Sequence, residues 1–165
     1  MTPAIKLAQK QKLVHTIHAY EHDKTAQSYG LEAAEKLNLP AERVFKTLVV
    51  ALSDQRLAVA IIPVAKQLSM KHMAIACGSK KAEMADAQRV EKTTGYVLGG
   101  VSPLGQKKRL PTVIDSSAQQ YPTIYVSAGR RGLEIELSPE DLLKVLGGQY
   151  EELCTRLTLK QKNRS

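Results

Sequence analysis

The sequence predicts an α+β fold, and three observations carry that expectation. Two β-rich runs, Phe45–Leu52 and Leu57–Pro63, are separated only by Ser53, Asp54, Gln55 and Arg56, so they form a hairpin. Helix-start signals are short and scattered, and do not alternate with single strands as they would in a doubly wound sheet. No repeat, low-complexity run or linker divides the 165 residues. One domain over residues 1–155 is therefore expected, followed by a basic tail at 156–165.

Each element has a local reason. Thr2 and Pro3 supply an N-cap and an N1 proline for a first helix, with Ile5, Leu7 and Leu13 on its buried side. Residues 15–20 alternate in polarity and read as a strand. A helix is expected over 31–37, after a loop at 23–30. Ser69 caps a helix running to about Cys77, with Gly78 just past its end, and Asp86 caps another to about Thr93. Residues 95–98, 112–115, 123–127 and 133–137 read as short strands. Ser138, Pro139, Glu140 and Asp141 combine cap, N1 proline and first-turn acids, and Gly147-Gly148 ends that helix.

Composition narrows the function. Lys and Arg number 24 against 16 acids, a formal charge of +8. Residues 101–132 carry Lys107, Lys108, Arg109, Arg130 and Arg131 against Asp115 alone, and residues 133–155 are acidic. Such a surface favours polyanions, nucleic acid first among them; the alternative is a protein with solvated basic loops. No apolar run approaches the roughly 20 residues that span a bilayer, so no membrane partner is expected. The N-terminus lacks a secretory signal pattern. Cys77 and Cys154 lack metal-type spacing and fit a reducing cytoplasm.

Several chemistries are missing from the sequence. It holds no phosphate-binding P-loop, dinucleotide fingerprint or G-x-S-x-G elbow. His18-Ala19-Tyr20-Glu21-His22 matches H-x-x-E-H, but that motif needs a helix. In a strand the two imidazoles stand about 13 Å apart, at roughly 3.3 Å per residue, too far for one zinc. No metal or other cofactor is expected.

Three features suggest a binding site. Lys46 sits inside the apolar run Val44-Phe45-Lys46-Thr47-Leu48-Val49-Val50. In a central strand its ammonium must meet an anion or enter a cleft; at an edge it would snorkel to solvent. Thr94 to Pro103, with Gly99, Gly100, Val101 and Ser102, forms a tight loop whose backbone N–H groups lack side-chain cover. It is either a ligand-approaching loop or an ordinary turn. Tyr125 to Gly132 sets Ser127, Arg130 and Arg131 at a strand end, either a phosphate grip or a polar hairpin turn.

These segments, with Tyr20-Glu21-His22 and residues 102–111, resemble the YbaK family of bacterial aminoacyl-tRNA deacylases, over about residues 1–150. The Gly99-x-x-x-Pro103 loop is similar to the hallmark of the wider superfamily, which includes the editing domain of bacterial prolyl-tRNA synthetases. The resemblance implies a mixed, strongly curved, barrel-like sheet surrounded by helices. It implies hydrolytic removal of cysteine from mischarged proline tRNA, and from cysteine tRNA, in trans and in transient contact with prolyl-tRNA synthetase. It implies that Lys46 is the essential residue and grips the 3′ CCA end of the charged tRNA. Tyr20, Thr47, Gly99, Ser127 and Glu134 match other substrate-site positions. Glu134 departs from the family's Asp in Gly-Leu-Asp-Ile-Glu-Leu by one methylene.

The scarcity of an enzyme nucleophile fits an already activated ester, where positioning and electrostatics suffice. The substrate thiol would then attack its own carbonyl, polarised by backbone N–H groups around Gly99, Gly100 and Val101. Three other readings compete: a water-using alanyl-tRNA(Pro) deacylase, a non-catalytic tRNA- or synthetase-binding module, and a small nucleotide-binding protein.

Overall fold

The structure, a computed structural model, describes residues 1–26 and 28–156. The expected basic tail lies outside the described residues from position 157 onward.

The elements in order are α1 (Pro3–Lys10), β1 (His15–Ala19), α2 (Tyr29–Lys36), β2 (Phe45–Leu52), β3 (Leu57–Pro63), α3 (Met70–Ala76), β4 (Ala82–Met84), α4 (Ala87–Thr94), β5 (Thr112–Asp115), β6 (Ile124–Arg130), β7 (Leu133–Leu137), α5 (Pro139–Leu146) and β8 (Gln149–Glu151). Short 3₁₀ turns at Ala41–Arg43 and Ser116–Gln120 lead towards β2 and β6. The α+β class is as the sequence predicts. The strands do not form one closed barrel: among the described residues they divide into a three-stranded sheet, β1-β7-β6, and a five-stranded sheet, β4-β2-β3-β5-β8. The first is antiparallel. In the second, β2 pairs antiparallel with β3 and β4, whereas β3–β5 and β5–β8 are parallel.

Alternation along the strands sorts side chains into layers. Phe45, Val49 and Ala51 of β2, Leu57, Val59 and Ile61 of β3, and Ile124, Val126, Leu133, Ile135 and Leu137 of β6 and β7 share one apolar core. Both sheets thus turn one face to a common interior. The opposite face of the large sheet, with Val50, Leu52, Ala60 and Ile62, is covered by Met73 of α3 and Leu153. A third cluster places Ala33 and Ala34 of α2 over Val44, Val64 and Tyr125.

Helix ends follow their capping chemistry. Thr2, Ser28, Ser69, Asp86 and Ser138 each accept a backbone N–H of the following turn. Ser28 starts α2 at Tyr29, two residues earlier than expected. In α1 the fully buried positions are Ala4 and Ala8, while Ile5 and Leu7 pack only partly. Gly105 approaches the start of this helix closely, and a Cβ there would meet the Pro3 carbonyl at 2.6 Å.

Residues 95–98 are not a strand. Gly95 closes α4 in the left-handed conformation, φ 84°. Tyr96 then turns inward, and its hydroxyl donates to the Leu104 carbonyl at 2.7 Å. The short strands β4 and β8 lie at the sheet edges and carry no sustained apolar alternation, so they leave no sequence signal.

Candidate active site

The site begins at the seam between the sheets. Val44, just before β2, forms a parallel bridge to Tyr125 on β6. Two residues further along each chain, Lys46 comes level with Ser127. Ser127 is paired with Glu134 on β7, and Glu134 with His18 on β1. Paired residues share a face, so Lys46, Ser127, Glu134 and His18 form one row across four strands. The row runs on the side of the sheet away from the large core, because Leu133 and Ile135, which flank Glu134, belong to that core.

Lys46 shares its face of β2 with Val44, Leu48 and Val50. Val44 lies under α2, and Leu48 and Val50 under α3 and Leu153. The lysine emerges in the gap between the two covers. It is half-buried, and burial draws its ammonium below the usual lysine range. Among the described residues no carboxylate forms an ion pair with it. Burial first, then the Asp115 carboxylate, pushes the Cys154 thiol up to about 12, so Cys154 stays neutral.

Glu134 is 6% exposed. Burial pushes its carboxyl from 4.5 to about 8. It is therefore largely a neutral acid at pH 7, awaiting a cation or a hydrogen-bond partner. Tyr20 lies beside it. Burial first, then the charges of Glu134 and Glu32, hold the Tyr20 hydroxyl above its usual range against a Gly132 backbone hydrogen bond. The Tyr20 N–H donates to the Gly132 carbonyl at 2.9 Å, fixing the residue beside the β6–β7 hairpin.

Polar contacts brace the row. His18 Nε2 lies 2.8 Å from Glu136 Oε1, Thr123 Oγ1 donates to Glu136 Oε2 at 2.6 Å, and Arg43 donates to the Thr123 carbonyl. The Arg43 guanidinium also lies over the Tyr125 ring, 5.2 Å from its centroid. His22 and the Asp23 N–H both bond the Glu32 carboxylate, tying the chain after Tyr20 to α2. His18 and His22 therefore serve separate carboxylates.

The glycine loop flanks the row. A Cβ at Gly100 would lie 3.1 Å from Arg130 Cα, so the loop sits directly against the β6–β7 hairpin. Gly99 has φ 89° and faces the Tyr29 ring. Arg131 stacks on that same ring at 3.7 Å and donates to the Leu98 carbonyl at 3.5 Å. The Gly100 N–H is already spent on the Val97 carbonyl at 3.0 Å. Among the described residues the N–H groups of Gly99 and Val101 have no such partner, so the uncommitted donors of the loop are theirs and not that of Gly100.

Not every expected residue faces the row. Thr47 is on the opposite face of β2 from Lys46, and its buried Oγ1 has no hydrogen-bond partner among the described residues. The side chains of Val101, Ser102 and Pro103 are buried. Ser102 Oγ accepts the Leu104 N–H at 3.2 Å and so shapes the loop itself. Arg130 is exposed at the hairpin end. No signal in the sequence places Tyr29 or Cys154 at the site. Nothing local in the sequence marks either residue, because both reach the site through tertiary packing.

The model of the aminoacyl-tRNA editing domain matches residues 23–145. The chain is 40% identical over 156 residues to the "Putative Cys-tRNA(Pro)/Cys-tRNA(Cys) deacylase EbsC" of Enterococcus faecalis, covering 94% of each. The fold is shared with the crystal structure of "a putative trans-editing enzyme for prolyl tRNA synthetase" (TM-score 0.79, 19% identity, 94% of this chain and 99% of that one). It is shared equally with that of the hypothetical protein APE2540 (TM-score 0.83, 23% identity, 93% and 100%). With the family model spanning most of the chain and a relative of this identity along nearly all of it, the chain belongs to the aminoacyl-tRNA editing domain family.

Proposed function

We propose that the protein removes cysteine from mischarged proline tRNA, and from cysteine tRNA, by cleaving the aminoacyl ester with the help of the substrate's own thiol. The observation that carries this reading is the row itself. A half-buried Lys46, without an ion-pair partner among the described residues, stands level with Ser127 and a neutral buried Glu134, beside a glycine loop in which two N–H groups have no partner among the described residues. The row offers an anion site, a cation site and carbonyl-polarising donors, but no nucleophile paired with a base. The name of the Enterococcus faecalis relative supports the choice of cysteine.

In this reading Lys46 holds a phosphate of the terminal CCA. The substrate α-ammonium meets Glu134, which releases its proton as the ion pair forms. The Gly99 and Val101 N–H groups polarise the ester carbonyl. Cysteine Sγ attacks that carbonyl carbon, the carbon–oxygen bond to the ribose breaks, and the thiol proton ends on the ribose hydroxyl. The products are a cyclic thiolactone and free tRNA, and water opens the thiolactone to cysteine. Alanine and proline esters lack the thiol and are spared. Transient association with prolyl-tRNA synthetase would deliver the mischarged tRNA before release.

The test is deacylation of cysteinyl-tRNA(Pro) beside the alanyl and seryl forms. Loss of cysteine alone, abolished in Lys46→Ala, is the expected result. Equal turnover of the seryl ester, or free cysteine with no trappable thiolactone, overturns thiol assistance.

A further inference from the structure

A second cationic site lies beyond the far end of the glycine loop. A cleft of about 520 Å³ runs between α1, the loop after Pro103 and the C-terminal end of α5. Lys108, Arg109 and Lys144 contribute its charge, and Leu7, Leu110 and Leu146 much of its apolar wall. None of the described residues lining it is acidic. Among the described residues none of the three cations has an ion-pair partner.

The loop that presents these charges is pinned. Lys107 and Lys108 donate their N–H groups to the Thr94 and Thr93 carbonyls at 3.0 and 3.2 Å. Gly105 lies against the backbone of Pro3 and Ala4. Gln106 Nε2 donates to the Ser102 carbonyl at 3.0 Å. The Arg109 guanidinium packs against Gly147, the C-cap of α5, where helix carbonyl ends favour a cation. Like charges held close on fixed backbone repel one another, and that cost is relieved by a polyanion.

We propose that this cleft binds the phosphate backbone of the acceptor stem while the 3′ end lies in the row of Lys46. The site and the cleft share one loop. Gly105 follows Gly99 by six positions, a reach of at most about 20 Å, so one RNA substrate can span both. Among the described residues no aromatic side chain lines the cleft for base stacking, and its lysines and arginine fit phosphate-backbone contact, which is sequence-independent. The cleft therefore raises affinity for tRNA in general and leaves amino-acid choice to the row. This inference rests on the deacylase reading above.

The experiment compares wild type with a Lys108→Gln/Arg109→Gln/Lys144→Gln variant, using cysteinyl-tRNA(Pro) and a truncated substrate, cysteine esterified to the 3′ end of a CCA trinucleotide. Binding of uncharged tRNA is followed against salt. Each phosphate contact contributes about 0.9 to the log–log salt slope, so the variant's slope should fall by about 2 to 3. Its KM for the full tRNA should rise at least about tenfold with kcat unchanged, and turnover of the truncated ester should match wild type. A charge-retaining variant, Lys108→Arg/Arg109→Lys/Lys144→Arg, should behave as wild type. A wild-type slope and KM in the glutamine variant overturn the cleft, as does equal loss in the charge-retaining variant. So does loss confined to binding of the purified synthetase, which would assign the cleft to an acidic protein surface. If wild type cleaves neither ester yet the variant loses the salt slope, the deacylase reading falls and the RNA cleft stands.

Discussion

Val44 is bridged in parallel to Tyr125, and this single rung determines where Lys46 falls along β6. The two sheets turn a common face to the core, but the row of polar residues on their other face exists only because they are joined at this register. A slip of one residue would turn Lys46 to the opposite face. The residues holding the rung are therefore part of how the site is positioned.

Arg43 is the test of that joint. Its guanidinium donates twice to the Thr123 carbonyl and lies over two tyrosine rings, Tyr125 and Tyr121. Arg43→Ala is expected to lower the unfolding free energy by about 2 kcal/mol, from charged hydrogen bonds and cation–π contact. Arg43→Lys should recover less than half, since an ammonium lacks the planar fork. Urea unfolding reads both. A loss below about 0.5 kcal/mol for the alanine variant would assign the joint to apolar packing of Val44 and Tyr125 alone.

Glu134 sets a pH dependence of opposite sign to the usual carboxylate. Its ordinary value of 4.5 is raised to about 8 by burial. Between those values the folded state holds a proton that the unfolded chain has released. Stability contributed by this group is thus greatest below about pH 4.5 and declines as pH rises towards 8. Glu134→Gln, neutral throughout, should remove the decline and be more stable than wild type at the alkaline end by on the order of a few kcal/mol. Unfolding free energies measured across that window decide it. Parallel curves for the two proteins would mean that Glu134 is solvated or paired in the folded state.

Much of this architecture was legible locally. The caps at Thr2, Ser69, Asp86 and Ser138 act within one turn of their own position, and the hairpin of β2 and β3 needs only four intervening residues. Lys46 stood out as a charge inside an apolar run, which in a central strand must meet an anion or enter a cleft and at an edge would snorkel to solvent. What the sequence hid was which residues meet. Thr47 adjoins Lys46 in the chain, yet strand alternation sends it to the other face. Tyr29 and Arg131 are far apart in sequence and stack at 3.7 Å. The register at which the two sheets meet depends on the bridge at Val44, which no local pattern records.

Gly105 and Gly78 form a matched pair for separating backbone strain from packing. Both have positive φ, 73° and 65°. A Cβ at Gly105 would meet the backbone of Pro3 at 2.6 Å, whereas one at Gly78 meets nothing within 4 Å. Gly78→Ala should therefore cost about 1 kcal/mol, the left-handed penalty alone. Gly105→Ala should cost clearly more, roughly 3 kcal/mol, because α1 or the loop must shift as well. Thermal unfolding of the two variants compares them directly. Equal losses would show that the loop yields freely against α1, and would weaken the case that it presents Lys108 and Arg109 on a fixed backbone.

Gly99 carries the last prediction, which concerns turnover more than stability. The residue is exposed, with φ 89°, and a Cβ there would lie 2.6 Å from the Tyr29 ring and 2.9 Å from Arg131 Nε. Relief would come from moving the loop off the Tyr29–Arg131 stack, which displaces the Gly99 and Val101 N–H groups from the row. Gly99→Ala should leave unfolding within about 1 to 2 kcal/mol of wild type. Its kcat on cysteinyl-tRNA should fall by about two orders of magnitude if these donors stabilise the developing oxyanion. Adding Tyr29→Ala removes the clash but not the φ strain. The double variant should thus regain part of the lost rate, a non-additivity that direct damage to the fold would not produce. Strictly additive losses in kcat would place the effect in the glycine's own conformation, and a Gly99→Ala enzyme of wild-type rate would remove the loop N–H groups from the mechanism.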